Sequence, residues 1–201
     1  MIAIVDYDAG NMLSVAKALR HLGQEPEITR DPDVLIKADS VILPGVGAFG
    51  DAMEKLNGFG LVQVISDIIK SGKPFLGICL GLQLLYEGSE EAPGVAGIGA
   101  LDGRIRKIPV GEYKKIPHMG WNSLRFPNKG RLFSGIDEGA YVYFVHSYYL
   151  EAADRSGVTA TCEYNVTIDA SVEYKNVFAC QFHPEKSGDI GLKILDNFVR
   201  L

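Results

Sequence analysis

The chain has 201 residues, of which 47% are hydrophobic and 22% charged, and 20 Lys and Arg against 25 Asp and Glu give a net charge of −5. This composition is typical of a globular protein with a full core and excludes disordered, collagen-like and disulfide-scaffold chains. A net negative charge without a basic cluster argues against nucleic acids and anionic membranes as partners. We therefore expect a single domain over residues 1–201.

The cysteine and histidine patterns indicate the compartment and argue against a metal site. Cys79, Cys162 and Cys180 form an odd set without a CxxC pair, which favours a reducing cytosol. The chain starts without a basic leader, and its longest apolar run, 75–86, is too short to span a bilayer. We therefore expect a cytoplasmic protein. No HxxxH or HxH spacing occurs among the histidines, so we expect neither a metal nor a cofactor.

Strands and helices alternate in the first part of the chain. Apolar runs and helical periodicity predict, in order, a strand over 2–7, a helix over 13–22, a strand over 25–30, a short helix opened by Asp31 and Asp33, a strand over 40–44, a helix over 51–71, a strand over 73–78 and a helix over 81–87. Such βα units predict a mostly parallel sheet with helices on both faces. Sites in these sheets lie at the carboxyl ends of the strands.

Beyond about residue 100 the sequence changes to short runs rich in Val, Tyr, Thr and Phe. These runs predict antiparallel strands over 104–109, 141–150, 158–164 and 177–182, followed by a helix over 190–201. We therefore predict a three-layer α/β fold, with a mostly parallel sheet flanked by helices and an antiparallel extension.

Residues 45–50 match the pattern GxGxxG of dinucleotide-binding proteins. The match follows the third predicted strand rather than the first, and the next strand ends in Cys79 rather than in an acid. No GxxxxGK[ST] phosphate loop occurs in the sequence. A glycine turn is therefore the favoured interpretation, with a dinucleotide site as the minor alternative.

The strongest chemical signal is Gly77-Ile78-Cys79-Leu80-Gly81, in which glycines flank a cysteine between a strand and a helix. This is the thiol form of a nucleophile elbow, where a side chain at either flank would crowd the sharp turn. The helix N-terminus favours a thiolate, and the N–H of Leu80 is free to face an oxyanion. The alternative is a buried structural cysteine, which is also what we expect of Cys162 and Cys180.

A thiolate nucleophile needs a base, and His183-Pro184-Glu185 follows the last predicted strand. An extended step through Pro184 would place His183 and Glu185 on the same side, so that the carboxylate orients the imidazole. His146 and His118 are alternative bases, but neither has a neighbouring acid. A surface-loop histidine is the alternative interpretation of His183.

The pattern Gly-x-Cys-x-Gly-x-Gln, with the distant His-Pro-Glu, resembles the triad-type (class I) glutamine amidotransferases. The resemblance covers essentially the whole chain through segments 6–11, 43–49, 118–122, 143–148 and 183–187. Asp8 departs from the glycine expected in the first of these segments. The family fold implied by the resemblance is flavodoxin-like and agrees with the α/β architecture predicted above.

The resemblance also implies a mechanism and a set of site residues. Cys79 would attack the side-chain amide of glutamine to give a thioester, His183 would transfer the proton and Glu185 would hold His183. The oxyanion would face Gly47 and Leu80, and the amino-acid end of glutamine would be held by Gln83, Glu91, Ser147 and Tyr148. For Glu91 the alternative is a solvated acid.

Within the family, the same segments are most similar to a branch that delivers ammonia to a separate (β/α)8-barrel cyclase. This similarity implies a heterodimer whose docking face includes Asn11, Trp121, Tyr143 and Lys186. Aromatic residues are favoured at interface centres, although Trp121 could also belong to the core. Two other functions remain open: an amidotransferase subunit for purine or vitamin synthesis, and a non-enzymatic flavodoxin-like binding module in which Cys79 is merely buried.

Overall fold

Strands and helices alternate through the N-terminal part of the computed structural model, which describes residues 1–111 and 115–201. The strands of the described residues are β1 (Ile2–Val5), β2 (Glu27–Thr29), β3 (Ser40–Gly45), β4 (Phe75–Cys79), β5 (Gly103–Lys107), β6 (His118–Ser123), β7 (Tyr141–His146), β8 (Tyr148–Ala152), β9 (Val158–Tyr164), β10 (Val166–Tyr174) and β11 (Val177–Cys180). The α-helices are α1 (Met12–His21), α2 (Pro32–Lys37), α3 (Phe49–Gly58), α4 (Leu61–Lys70), α5 (Leu80–Leu84) and α6 (Gly188–Val199), and short 3-10 turns occupy Arg131–Phe133, Arg155–Gly157 and Pro184–Lys186.

A seven-stranded sheet in the order β2-β1-β3-β4-β11-β10-β9 forms the middle layer. The pairings from β2 to β11 are parallel, and β10 and β9 continue the sheet in antiparallel register. Two antiparallel ribbons, β5-β8 and β6-β7, lie outside this sheet. The predicted mostly parallel sheet with an antiparallel extension is therefore confirmed.

Alternation along the strands places a hydrophobic core on each face of the sheet. In β1, Ile2 and Ile4 pack in the core that contains residues of α1 and α6. Ala3 and Val5 pack in the core formed with helices α2 to α5. Successive side chains of a strand point to opposite faces, so a continuously apolar strand needs helices on both sides.

The predicted single helix over 51–71 is wrong, because two helices, α3 and α4, occupy this region. Gly60 lies between them with a φ of +68°, in the left-handed region where a helix cannot continue. Helical periodicity does not reveal the break at Gly60, because the apolar positions of both helices face the same core.

The C-terminal strands differ from the prediction in three ways. The run 177–182 was expected to be antiparallel, but β11 pairs in parallel with β4 and antiparallel with β10. The run 141–150 forms two strands, β7 and β8, which separate at Ser147. The prediction also missed β6, which is rich in polar residues and glycine, and β10, in which the buried Asp169 interrupts the apolar pattern.

Register brings three strand ends to the same edge of the sheet. Gly45 at the end of β3 is paired with Cys79 at the end of β4, and Cys180 at the end of β11 is paired with Ile78. His183 follows β11 by three residues. The cysteine and histidine singled out in the sequence therefore meet at the carboxyl edge, where sites in open α/β sheets lie.

Candidate active site

Cys79 occupies a strained turn between β4 and α5, with a φ of +56° that is unusual for a residue with a side chain. The flanking glycines explain how the turn is accommodated. A Cβ at Gly81 would lie 1.9 Å from the carbonyl oxygen of Leu43, and a Cβ at Gly77 would lie 2.7 Å from that of Gly81. Both distances forbid a side chain. The glycines thus permit the close strand-to-helix packing that a nucleophile elbow requires.

The first two glycines of the GxGxxG segment have separate structural roles. A Cβ at Gly45 would lie 2.7 Å from the backbone nitrogen of Gly81, so this glycine allows β3 to approach the elbow. Gly47 has a φ of +96°, although an added methyl group would meet no atom within 4 Å. Close packing therefore requires glycine at position 45, and backbone conformation favours it at position 47.

His183 and Glu185 form a buried hydrogen-bonded pair. The Nδ1 atom of His183 lies 2.8 Å from Oε1 of Glu185, and the two side chains are only 2% and 1% exposed. His183 is extended, as expected of the residue before Pro184, but Pro184–Lys186 form a 3-10 turn. The predicted extended step therefore does not continue through Pro184. The turn brings Glu185 back toward the imidazole. The predicted contact therefore forms, but through a different backbone path.

The surroundings of His183 favour its charged form. Burial alone would lower its pKa, but the interactions with Cys79 and Glu185 outweigh burial and raise the pKa from 6.5 to about 10. The Nε2 atom makes no hydrogen bond of standard geometry to any described residue. Cys79 lines the same cavity as His183, so its sulphur lies on the side of the imidazole that Glu185 does not occupy. A thiolate beside an imidazolium is the arrangement of an activated cysteine nucleophile.

A cavity of about 300 Å³ joins the nucleophile, the histidine and the predicted substrate residues. Its lining includes Cys79 and His183 together with Gly47, Leu80, Gln83, Glu91, Ser147 and Tyr148, which are all the residues expected around the oxyanion and the substrate. The remaining lining residues are Val46, Pro117, Val145 and His146. Of these, only His146 was considered for the site, as an alternative base. The cavity thus brings together residues from both halves of the chain.

Two of the predicted substrate residues also make hydrogen bonds within the protein. An oxygen of Glu91 accepts a hydrogen bond of 2.8 Å from the N–H of Phe49, the first residue of α3. The Nε2 atom of Gln83 donates to the carbonyl oxygen of Tyr148 at 2.9 Å and to Oε1 of Gln181 at 3.0 Å. Glu91 is therefore bound to the helix that follows the glycine segment, and Gln83 links α5 to the wall at Tyr148.

His146 and His118 form a buried hydrogen-bonded pair next to Tyr148. The Nδ1 of His146 lies 2.9 Å from the carbonyl oxygen of Tyr148, and its Nε2 lies 2.9 Å from Nδ1 of His118. A carbonyl only accepts, so His146 carries its proton on Nδ1 and accepts from His118. Burial, together with the nearby imidazoles, lowers the pKa of His146 to about 3 despite the bond to Tyr148. His146 is therefore neutral, and both of its ring nitrogens are occupied.

Gln181 is a contact of the nucleophile that sequence analysis missed. Its side chain is fully buried, and its Nε2 atom lies 3.8 Å from Sγ of Cys79. In the sequence it is a single polar residue inside the apolar run 177–182. Periodicity gives such a residue no role, because only the pairing of β11 with β4 brings it to the elbow.

The residues expected at a docking face lie close to the histidine and its acid. The rings of Trp121 on β6 and Tyr143 on β7 meet edge to face with centroids 6.1 Å apart, and Trp121 is 56% exposed. Lys186 is exposed, and the amide of Asn11 lies 3.4 Å from Oε1 of Glu185. Asn11 therefore contacts the acid itself as well as lying near the surface.

Asp8, which replaces an expected glycine, keeps the backbone conformation that glycine would favour. Its φ is +58°, in the left-handed region that Asp tolerates better than most residues. Its carboxylate forms an ion pair with Arg30, and its carbonyl oxygen accepts a hydrogen bond from Lys55. The turn at the end of β1 is thus retained without glycine.

Neither a metal centre nor a membrane span is found among the described residues. In residues 1–111 and 115–201, no three His, Cys, Asp or Glu side chains are grouped so that they could hold a metal ion. No helix in this part of the chain has the length and apolar character needed to cross a bilayer. Cys162 and Cys180 are buried, as expected.

The chain is similar to known proteins over its whole length. A family model described as glutamine amidotransferase class-I matches residues 3–201. The chain is 52% identical over 200 residues to the imidazole glycerol phosphate synthase subunit HisH of Moorella thermoacetica, covering 100% of this chain and 94% of that protein. It is 49% identical over 201 residues to the protein of the same name from Methanothermobacter thermautotrophicus, covering 100% and 98%.

Solved structures agree at the level of the fold. The structure of PurLQS from Thermotoga maritima matches 99% of this chain and 97% of that chain with a TM-score of 0.75. The sequence identity is only 23%, so this likeness supports the architecture and not the reaction.

Proposed function

We propose, since this chain belongs to the class-I glutamine amidotransferase family, that it is the glutaminase subunit of imidazole glycerol phosphate synthase. It hydrolyses glutamine to glutamate and ammonia in histidine biosynthesis. The observation that carries the proposal is the cavity that joins Cys79 and His183 to the predicted glutamine-binding residues. A cytoplasmic location and a single catalytic domain over residues 1–201 remain predictions, supported respectively by the free cysteines and by a central sheet with strands from both ends of the chain.

The reaction follows from the charges at the carboxyl edge. The thiolate of Cys79 attacks the side-chain carbonyl carbon of glutamine, and the C–N bond breaks as His183 gives its proton to the leaving nitrogen. Ammonia leaves and a glutamyl thioester remains. Water then attacks the thioester while His183 accepts a proton, and the thiolate leaves with the formation of glutamate. Glu185 keeps the imidazole oriented and supports its positive charge through both steps.

The oxyanion of each tetrahedral intermediate would be stabilised by the backbone N–H groups of Leu80 and Gly47. Leu80 is the first residue of α5, so its N–H has no partner within the helix. Gly47 belongs to the glycine segment that precedes α3, and both residues line the cavity. The loss of one such donor typically lowers the rate about 10²- to 10³-fold.

The amino-acid end of glutamine would be bound at the far end of the cavity. The carboxylate of Glu91 and the side-chain oxygen of Gln83, whose NH2 group is already used, suit the α-ammonium group. Ser147 and Tyr148 would hold the α-carboxylate. The bond from Phe49 to Glu91 uses one carboxylate oxygen and leaves acceptor capacity for the ligand. No cofactor enters this mechanism.

The partner proposed for this subunit is a (β/α)8-barrel cyclase, which uses the ammonia to form imidazole glycerol phosphate and an aminoimidazole carboxamide ribonucleotide. Trp121 supplies exposed aromatic surface of the kind favoured at interface centres, and its ring meets that of the half-buried Tyr143. Asn11 and Lys186 lie at the same end as Glu185. Docking here would place the glutaminase site next to the partner.

Cys79→Ser tests the reaction. Only glutamine cleavage needs the thiolate, so the variant in complex with the cyclase should lose glutamine-dependent synthesis and keep ammonia-dependent synthesis. Product formation is measured with each nitrogen source. Loss of both activities in a folded, assembled variant would contradict the division of labour.

Trp121→Ala tests the docking face. We expect cyclase affinity to fall by at least about tenfold, since truncation of a central aromatic residue typically costs 2 kcal/mol or more. Titration calorimetry measures the affinity. Ile36→Ala is the matched control, because Ile36 is also an exposed apolar residue but lies on α2. Equal affinities for both variants would exclude Trp121 from the interface.

A further inference from the structure

We propose that Gln181 stabilises the reactive thiolate by donating a side-chain hydrogen bond to Sγ of Cys79. The inference rests on the proposed glutaminase function, in which Cys79 is the nucleophile. The Nε2 atom of Gln181 lies 3.8 Å from Sγ, and the residue is fully buried. A buried amide needs partners for its polar atoms, so its contacts define its orientation.

A backbone carbonyl fixes which end of Gln181 faces the sulphur. The carbonyl oxygen of Tyr148 can only accept a hydrogen bond, so the group of Gln83 that lies 2.9 Å from it must be the NH2 group. The same nitrogen lies 3.0 Å from the side chain of Gln181 and must donate to its oxygen. With its oxygen facing Gln83, Gln181 presents its NH2 group to Cys79.

This donor favours the ionised state of the nucleophile over its protonated and acylated states. A thiolate accepts hydrogen bonds more strongly than a thiol or a thioester, because charge strengthens the bond. Another polar neighbour of Sγ, the carbonyl oxygen of Val145 at 3.9 Å, can accept a hydrogen bond from the thiol but donates none to a thiolate. Gln181 therefore supports the sulphur before attack and when it leaves in thioester hydrolysis.

The neutrality of Gln181 suits this position. A second cation beside Sγ would compete with the imidazolium of His183, whose pKa is raised in part by the same sulphur. An amide donates without adding charge, so it stabilises the thiolate while the ion pair with His183 is kept.

The test measures the reactivity of Cys79 without glutamine. Iodoacetamide alkylation at pH 8 is followed by mass spectrometry of the peptide that contains Cys79. Gln181→Met keeps the volume and removes the donor, so we expect the alkylation rate to fall about tenfold or more. Gln181→Glu keeps an acceptor for Gln83 and places a carboxylate oxygen against Sγ, so we expect a larger fall.

Gln63→Met is the matched control, because it makes the same exchange at an exposed glutamine on α4, outside the cavity. We expect its alkylation rate to stay within about threefold of wild type. A folded Gln181→Met variant within twofold of wild type would overturn the proposal, as would an equal loss in Gln63→Met. If Gln181→Met does not fold, the isosteric Gln181→Glu decides by the same twofold criterion. An unreactive wild-type Cys79 would instead contradict the glutaminase function itself.

Discussion

The ends of β7 and β11 each present a buried histidine to the same cavity, but the two environments drive the imidazoles in opposite directions. His146 at the end of β7 has its pKa lowered to about 3, mainly by burial. His183 after β11 has its pKa raised to about 10, because Cys79 and Glu185 outweigh burial. Burial disfavours the charged form in both, so the anionic partners make the difference.

The comparison separates two roles that histidine can take in one site. Both nitrogens of His146 are used, one toward the carbonyl oxygen of Tyr148 and one toward His118, so it supports a wall of the cavity. His183 uses only Nδ1, toward Glu185, and its Nε2 makes no hydrogen bond to a described residue. An imidazole with one oriented nitrogen and one available nitrogen can transfer protons.

The largest expected effect comes from removing the negative charge of Glu185, which holds His183. Glu185→Gln keeps the shape of the side chain but loses its negative charge, so kcat for glutamine hydrolysis should fall about 10²- to 10⁴-fold. Steady-state glutamate release with the cyclase and its ligand present measures the change. Glu25→Gln, an exposed acid outside the site, is the control and should retain wild-type turnover. A loss of less than about tenfold would mean that Glu185 does not orient His183.

The next effect concerns the stability contributed by the neutral histidine. The pKa of His146 is about 3 in the folded protein and 6.5 in the unfolded chain. Between these pH values the unfolded chain binds more protons, so stability falls as pH falls. From pH 7.5 to pH 5 wild type should lose about 2 kcal/mol more than His146→Gln. Urea unfolding at both pH values measures the difference. Glutamine can still donate to Tyr148 and accept from His118, so equal losses in the two proteins would show that His146 is protonated in the fold.

The smallest expected effect shows how much Cys79 contributes to the raised pKa of His183. Cys79→Ser removes the sulphur charge, so the pKa of His183 should fall from about 10 by about one unit or more, while His146 stays neutral. Imidazole NMR titration of the folded variant measures both histidines. Because folding raises the pKa of His183, this residue stabilises the wild-type fold fully below pH 6.5. The stabilisation is lost as the pH rises toward 10. An unchanged pKa in the variant would assign the shift to Glu185 alone.

Local sequence determined the parts of the site that depend on close backbone packing. The elbow at Cys79 could be predicted because Gly77 and Gly81 have no room for a side chain, and this need appears directly in the residue pattern. The contact between His183 and Glu185 was also predictable, because side chains two positions apart in the chain can meet through only a few backbone conformations. The 3-10 path between them was not predicted, because an X-Pro-X step permits more than one backbone conformation.

Tertiary structure alone decided what surrounds these residues. The donor at Gln181 and the buried pair of His146 and His118 depend on strands that are distant in sequence. An apolar run does not determine which strand it will pair with. The parallel pairing of β11 with β4 was missed for the same reason. Because a histidine's charge depends on desolvation and on the charges that the fold brings near it, sequence named both histidines but only the folded chain set their opposite protonation states.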